Sequence, residues 1–240
     1  MKKSIFKRVA AFLMALTLIS TIGVSGTFAK YVTTGEGSDN ARVAKWGIMI
    51  QTEGDGVFAE EYDGTVQTSV SGEKVVAPGT RGTEFTATVS GKPEVDALFK
   101  LALDNCKEVC LPAGTYVDYT HLGADGTYSD TFTLDEDYMP VILHLTINLG
   151  GRNIALQGHL TEIEAQLNRL GNGSGLEATL EANTEIPEGS SVSLSWEWPF
   201  EQNDAADTFL GNVAAGKVSA PAGCETQIAY HFLASATQID

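Results

Sequence analysis

Apolar and polar side chains alternate with a period of two through most of this chain, and that pattern restricts the fold more than any other feature. Successive side chains of a strand point to opposite faces, so every second residue can enter a core while the rest meet solvent. In Ser191–Pro199, Val192, Leu194, Trp196 and Trp198 share one face, opposed by Ser193, Ser195 and Glu197. Ala41–Gln51 places Ala44, Trp46, Ile48 and Ile50 together in the same way. Phe85, Ala87 and Val89 alternate within Glu84–Ser90. Leu176, Ala178, Leu180 and Ala182 do so against Glu177, Thr179 and Glu181. Ile228, Tyr230 and Phe232 repeat the pattern opposite Ala229, His231 and Leu233. Val141–Leu149 is a nearly continuous apolar run, which suits a strand covered on both sides. Trp46, Trp196 and Trp198 are accordingly expected in the core.

Asp63-Gly64, Pro78-Gly79, Asp125-Gly126 and Gly150-Gly151 punctuate these runs as turns. One segment has a different period. His159–Leu170 carries Leu160, Ile163, Leu167 and Leu170 at helical spacing, with Thr161 as N-cap and Gly171 as stop. The chain therefore reads as a mostly β, antiparallel two-sheet sandwich with one inserted amphipathic helix as a cover. The Gly-rich stretch Gln51–Gly82 reads as a protruding hairpin or loop.

The N-terminal residues have another logic. Lys2, Lys3, Lys7 and Arg8 precede an apolar run from Val9 to Val24, and Thr27 and Ala29 supply small residues at −3 and −1. Basic start, apolar middle and small-residue exit predict a signal peptide over residues 1–29, cut between Ala29 and Lys30. An uncleaved membrane anchor is the alternative, although a span wants about 20 apolar residues. The polar end, ATQID, carries no sortase-like signal. Residues 30–240 are expected as a single secreted domain, extracellular or at the cell surface, opening on a flexible segment, 30–40. Membrane contact is then confined to the uncleaved precursor. Cleavage removes four cations and no acid, so 15 Lys+Arg fall to 11 against 31 Asp+Glu, a formal charge of −20. Such an excess disfavours nucleic acid and anionic lipid as partners, because both require phosphate-neutralising cations.

Chemistry-bearing motifs are sparse. The chain has no HExxH, no G-x-S-x-G elbow and no Gly-rich turn opening a helix. His144 and His231 read as strand residues. Trp196 and Trp198 could stack on a sugar, but their shared face with Val192 and Leu194 favours packing. Asp135, Glu136 and Asp137 form one acidic cluster and Asp204 with Asp207 another; neither follows an EF-hand pattern. No cofactor is expected, with calcium at one of these clusters as the alternative. Asp207 reads as the N-cap of a short turn reaching Val213. No catalytic or metal residue is assigned. Cys106 and Cys110 would lie about 13 Å apart along an extended strand, beyond disulfide reach. A bridge between them needs a turn; otherwise Cys224 must approach one of them, and an odd count leaves at least one thiol free.

Several segments resemble a known family. The export end with TGEGSDNARVAKWGI is similar to secreted proteins with SipW-dependent-type signal peptides. VVAPGTRG at 75–82 resembles the turn before the second core strand of the TasA/camelysin family. SLSWEWPFEQNDAADTFLGN at 193–212 resembles its W-x-W strand followed by a D-T-x-L-G turn, and ATQID its last strand.

That resemblance implies a jelly-roll-like sandwich that builds extracellular biofilm-matrix fibres, in which the N-terminal segment of one subunit adds as a strand to the next. Lys30, Tyr31, Val32, Thr33 and Thr34 would form the added strand. The expected partners are copies of the chain itself, with other matrix proteins or polysaccharide besides. A non-enzymatic structural subunit is thus the leading expectation. A secreted camelysin-like metallopeptidase is the first alternative, and a casein-cleavage assay with and without chelator separates it. A carbohydrate-binding adhesin is the second, and it requires Trp196 and Trp198 to be exposed.

Overall fold

The alternation in Ser191–Pro199 materialises as the middle strand of a five-stranded antiparallel sheet. This computed structural model describes residues 32–35, 47–53, 56–62, 66–67, 72–82, 84–200 and 202–239. Its strands are β1 (Val32–Gly35), β2 (Ile48–Glu53), β3 (Glu61–Tyr62), β4 (Val66–Gln67), β5 (Phe85–Gly91), β6 (Ala97–Leu103), β7 (Gly114–Val117), β8 (Thr131–Leu134), β9 (Ile142–Leu149), β10 (Arg152–Gly158), β11 (Leu176–Leu180), β12 (Ser191–Glu197) and β13 (Phe232–Gln238). Among the described residues two helices join them, α1 (Leu160–Leu170) and α2 (Asp204–Ala214). The larger sheet runs β10-β9-β12-β5-β2 and the other β1-β13-β6-β11; two-stranded hairpins β3-β4 and β7-β8 complete the set. The protein is mostly β, antiparallel throughout, and sandwich-like.

Each inner face is built by the predicted alternation. Val192, Leu194, Trp196 and Trp198 are all buried, as are Ile48, Ile50, Ala87, Val89, Leu176 and Leu180. On the outer face of the larger sheet, Thr86 and Ser193 share a hydrogen bond of 3.0 Å, and His144 on β9 stands 3.4 Å from Glu197. Strand β9 departs from expectation. Thr146 and Asn148 are exposed while Leu143, Leu145, Ile147 and Leu149 are buried. It is therefore covered on one side only, and the period of two was already present beneath an apolar-looking run. The Gly150-Gly151 pair turns β9 into β10 with φ of 60° and 72°, a backbone that two glycines adopt without steric cost.

Helix α1 begins at Leu160 and is capped by His159, not by the expected Thr161. Glu162 returns a carboxylate to the His159 N–H at 3.1 Å, one arm of a capping box. Leu160, Ile163 and Leu167 are buried against β6, β9, β10 and β11. The helix thereby closes the flank where β10 and β11 end the two sheets.

A full helix replaces the short turn expected after Trp198. Asn203 caps α2 by accepting from the Ala206 N–H at 3.1 Å, and Asp207, Phe209 and Gly211 are helical. The D-T-x-L-G motif is thus helix and not turn, because Asn203 outcompetes Asp207 as cap and Phe209 and Leu210 are drawn into the core. Gln51–Gly82 also differs from expectation in its described parts. Val57 is buried and Phe58, Tyr62 and Val76 pack on the core, so the stretch folds back across the sandwich and does not protrude. Pro78-Gly79 forms the expected turn, with the Thr80 N–H bonded to Ala77 O at 3.1 Å and Gly79 at φ 85°. It leads into β5.

Candidate assembly edge

Strand β1 is the terminal member of its sheet. Val32, Thr33, Thr34 and Gly35 pair antiparallel with Thr237, Ala236, Ser235 and Ala234 of β13. Its other side pairs with no described strand. The segment expected to be flexible is therefore, over these four residues, an ordered edge strand held within its own chain. The reason is visible in β13, whose Ala234 and Ala236 face the core while its main chain offers a free ladder on the side away from β6. Lys30 and Tyr31, the cleavage position after Ala29, and Trp46 lie outside the described residues.

The flank beside β1 is the counterpart of the one closed by α1. There β1 lies against β2 of the opposite sheet. Between the sheets at this side sits a cavity of about 190 Å³. Ile50, Phe85, Ala87, Leu101, Phe232 and Ala234 supply its apolar walls. Tyr230 and His231 stand at its margin. Phe85 and Phe232 bridge the two sheets with ring centroids 6.4 Å apart.

Of the three tryptophans expected in the core, the two among the described residues are inside. Trp196 is 1% exposed and Trp198 6%, which removes both indoles from any sugar-stacking surface. The Trp196 indole N–H donates to Val57 O at 2.7 Å, and Phe58 and Tyr62 pack on its ring at 5.3 and 5.8 Å.

Two polar constellations were not legible in the sequence. Glu108 is buried beside α1; its Oε2 accepts the Leu160 N–H at 3.0 Å. Its Oε1 has no hydrogen-bond partner among the described residues and faces His159 Nδ1 at 3.8 Å. Burial lifts its carboxyl from 4.5 to about 7, against the opposing pull of the Leu160 N–H and His159. The buried Tyr230 hydroxyl, also unpartnered, is pushed upward by burial and then by Glu108. In the second constellation Tyr138 donates to Asp207 Oδ1 at 2.8 Å. Burial raises the Asp207 carboxyl while the Tyr138 bond opposes it.

The acidic cluster at Asp135, Glu136 and Asp137 is exposed, and Asp137 accepts the Ala113 N–H at 2.9 Å. Among the described residues no three His, Cys, Asp or Glu side chains converge as a metal-ligand set, and no helix is long and apolar enough to cross a membrane. The chain matches no family model, no curated protein and no solved structure.

Proposed function

We propose that this protein is a non-enzymatic structural subunit of an extracellular matrix or cell-surface fibre, assembling by exchange of its N-terminal strand. The observation that carries the reading is the placement of β1. It is a short edge strand, paired over four residues, beside an apolar gap between the sheets. Main-chain hydrogen bonds supply affinity in such strand addition, and they are the same whether the strand comes from the same chain or from a neighbour. Withdrawal of β1 would leave the β13 ladder unpaired, and the main chain of a second copy's Val32–Gly35 can take its place. The TasA/camelysin resemblance and the signal-peptide pattern expected over residues 1–29 support secretion and release of Lys30 as the new N-terminus.

The test uses mature chain starting at Lys30 and a variant lacking residues 30–40. Electron microscopy should show filaments of the mature chain, favoured at low pH, where protonated carboxylates weaken the mutual repulsion of chains at −20. The truncated chain should stay folded by circular dichroism and form none. Added at about one part in ten, it should shorten wild-type filaments, since it can accept a strand but cannot donate one. Filaments of the truncated chain identical to wild type would refute strand exchange. A mature chain monomeric under all these conditions would refute the fibre assignment itself.

A further inference from the structure

The fold separates the three cysteines into a pair and a single. Cys110 and Glu225 exchange both main-chain hydrogen bonds, each at 2.9 Å. That register sets Cys224 opposite Leu111 and diagonal to Cys110. The turn that ends at Cys224, closed by its N–H on Pro221 O at 3.1 Å, packs on the same segment. A methyl group on Gly223 would stand 3.3 Å from Pro112 Cγ. Strand spacing and rise put the two cysteine Cα atoms about 6 Å apart, inside the span that a disulfide bridges. The bridge is isolated, and Cys224 lies outside any strand, directly after Gly223 at φ 84°, so the strict alternation of faces in a regular ladder does not set its side-chain direction. Each thiol is half-buried, burial raises both, and Cys110 feels Cys224 as well as Asp137. Cys106 is elsewhere. Its sulfur accepts the His231 N–H at 3.3 Å and lies 3.6 Å from Asp104 O, at the far end of the paired segment.

We propose that Cys110 and Cys224 form the redox-active pair of this protein, closing to a disulfide on exposure to a low-molecular-weight disulfide, with Cys106 left as a thiol. The thiolate of one of the pair attacks a sulfur of the small disulfide, forms a mixed disulfide and expels one small thiolate. The second cysteine thiolate then attacks the protein sulfur of that mixed bond and expels the other. The two cysteines are oxidised, one small disulfide is reduced to two thiols, and the cysteine protons pass to those thiols. The bond would tie the approach to β13 to the segment before β7, across more than a hundred residues of sequence. Closing so long a loop in the unfolded chain favours the folded state.

The experiment incubates the mature protein with oxidised glutathione, alkylates it without reduction and maps its peptides by mass spectrometry. The expected result is a linked peptide pair containing Cys110 and Cys224, an intact mass about 2 Da lower before alkylation, and alkylated Cys106. The melting temperature should rise by about 10 °C and return with dithiothreitol. Cys224→Ser should abolish the shift and Cys106→Ser should keep it. A link involving Cys106, or three alkylated cysteines after full incubation, would overturn the proposal. This outcome is independent of whether the chain forms fibres.

Discussion

Trp196→Ala should lower the free energy of unfolding by about 3–5 kcal/mol, the range for truncating a buried large aromatic. The indole is almost fully enclosed, so little of the cavity left behind can fill with solvent. Three further losses accompany it. Val57 O would lose its donor at 2.7 Å, Phe58 and Tyr62 would lose the ring they pack on, and the 56–62 segment would lose its tie to β12. A domain of ordinary stability has about 5–15 kcal/mol to lose, so partial unfolding at 37 °C is expected. Guanidinium denaturation followed by fluorescence of the remaining tryptophans and by circular dichroism measures the change. A loss below about 1 kcal/mol would mean that Trp196 is not enclosed as described.

The second large effect is pH-dependent and centres on Glu108. Its folded carboxyl titrates at about 7 against an ordinary 4.5. The folded protein therefore keeps this proton to higher pH than the unfolded chain does. The stability it confers is complete below about 4.5 and is lost as the pH rises through 7. Glu108→Gln cannot ionise and can still accept from the Leu160 N–H. It should match wild type at pH 4.5 and exceed it by about 2–3 kcal/mol at pH 8. Urea titrations at the two pH values decide the matter. An identical difference between the two proteins at both would show that Glu108 does not titrate in this range.

Much of the sandwich could be read from residue spacing, and the failures have physical causes. β12, β5 and β11 were legible because each buries one face, so the sequence alternates. Helix α1 was legible for the corresponding reason at a period near 3.6. β6 escaped notice because ALFKLAL is nearly all apolar, yet Ala97, Phe99 and Leu101 are its fully buried face. In α2 the cap competition between Asn203 and Asp207, with a glycine inside the last turns, hid an 11-residue helix. The candidate edge was the least legible part. The expectation that the N-terminal segment adds as a strand came from the resemblance, but the strand β1 pairs with in this chain, β13, lies some two hundred residues later, and no local spacing encodes that register. Glu108 was invisible for a similar reason, since its environment is the N-terminus of a helix that begins 52 residues on.

The two flanks of the sandwich are sealed by unequal means. One holds an 11-residue helix with three buried apolar side chains and a buried carboxylate bond; the other is capped by a strand paired over four residues. Thermal breathing is governed by the weakest closure, and short edge elements open at a small fraction of the global unfolding free energy. Amides of β13 that bond to β1 should therefore exchange with solvent long before those that bond to β6. Fluctuation in this molecule then has a preferred direction, and mild heat or denaturant reveals the same surface first each time. The earliest step of denaturation and the step that would recruit another subunit are one motion, so stress short of melting should promote association of folded domains before any tangle of unfolded chains.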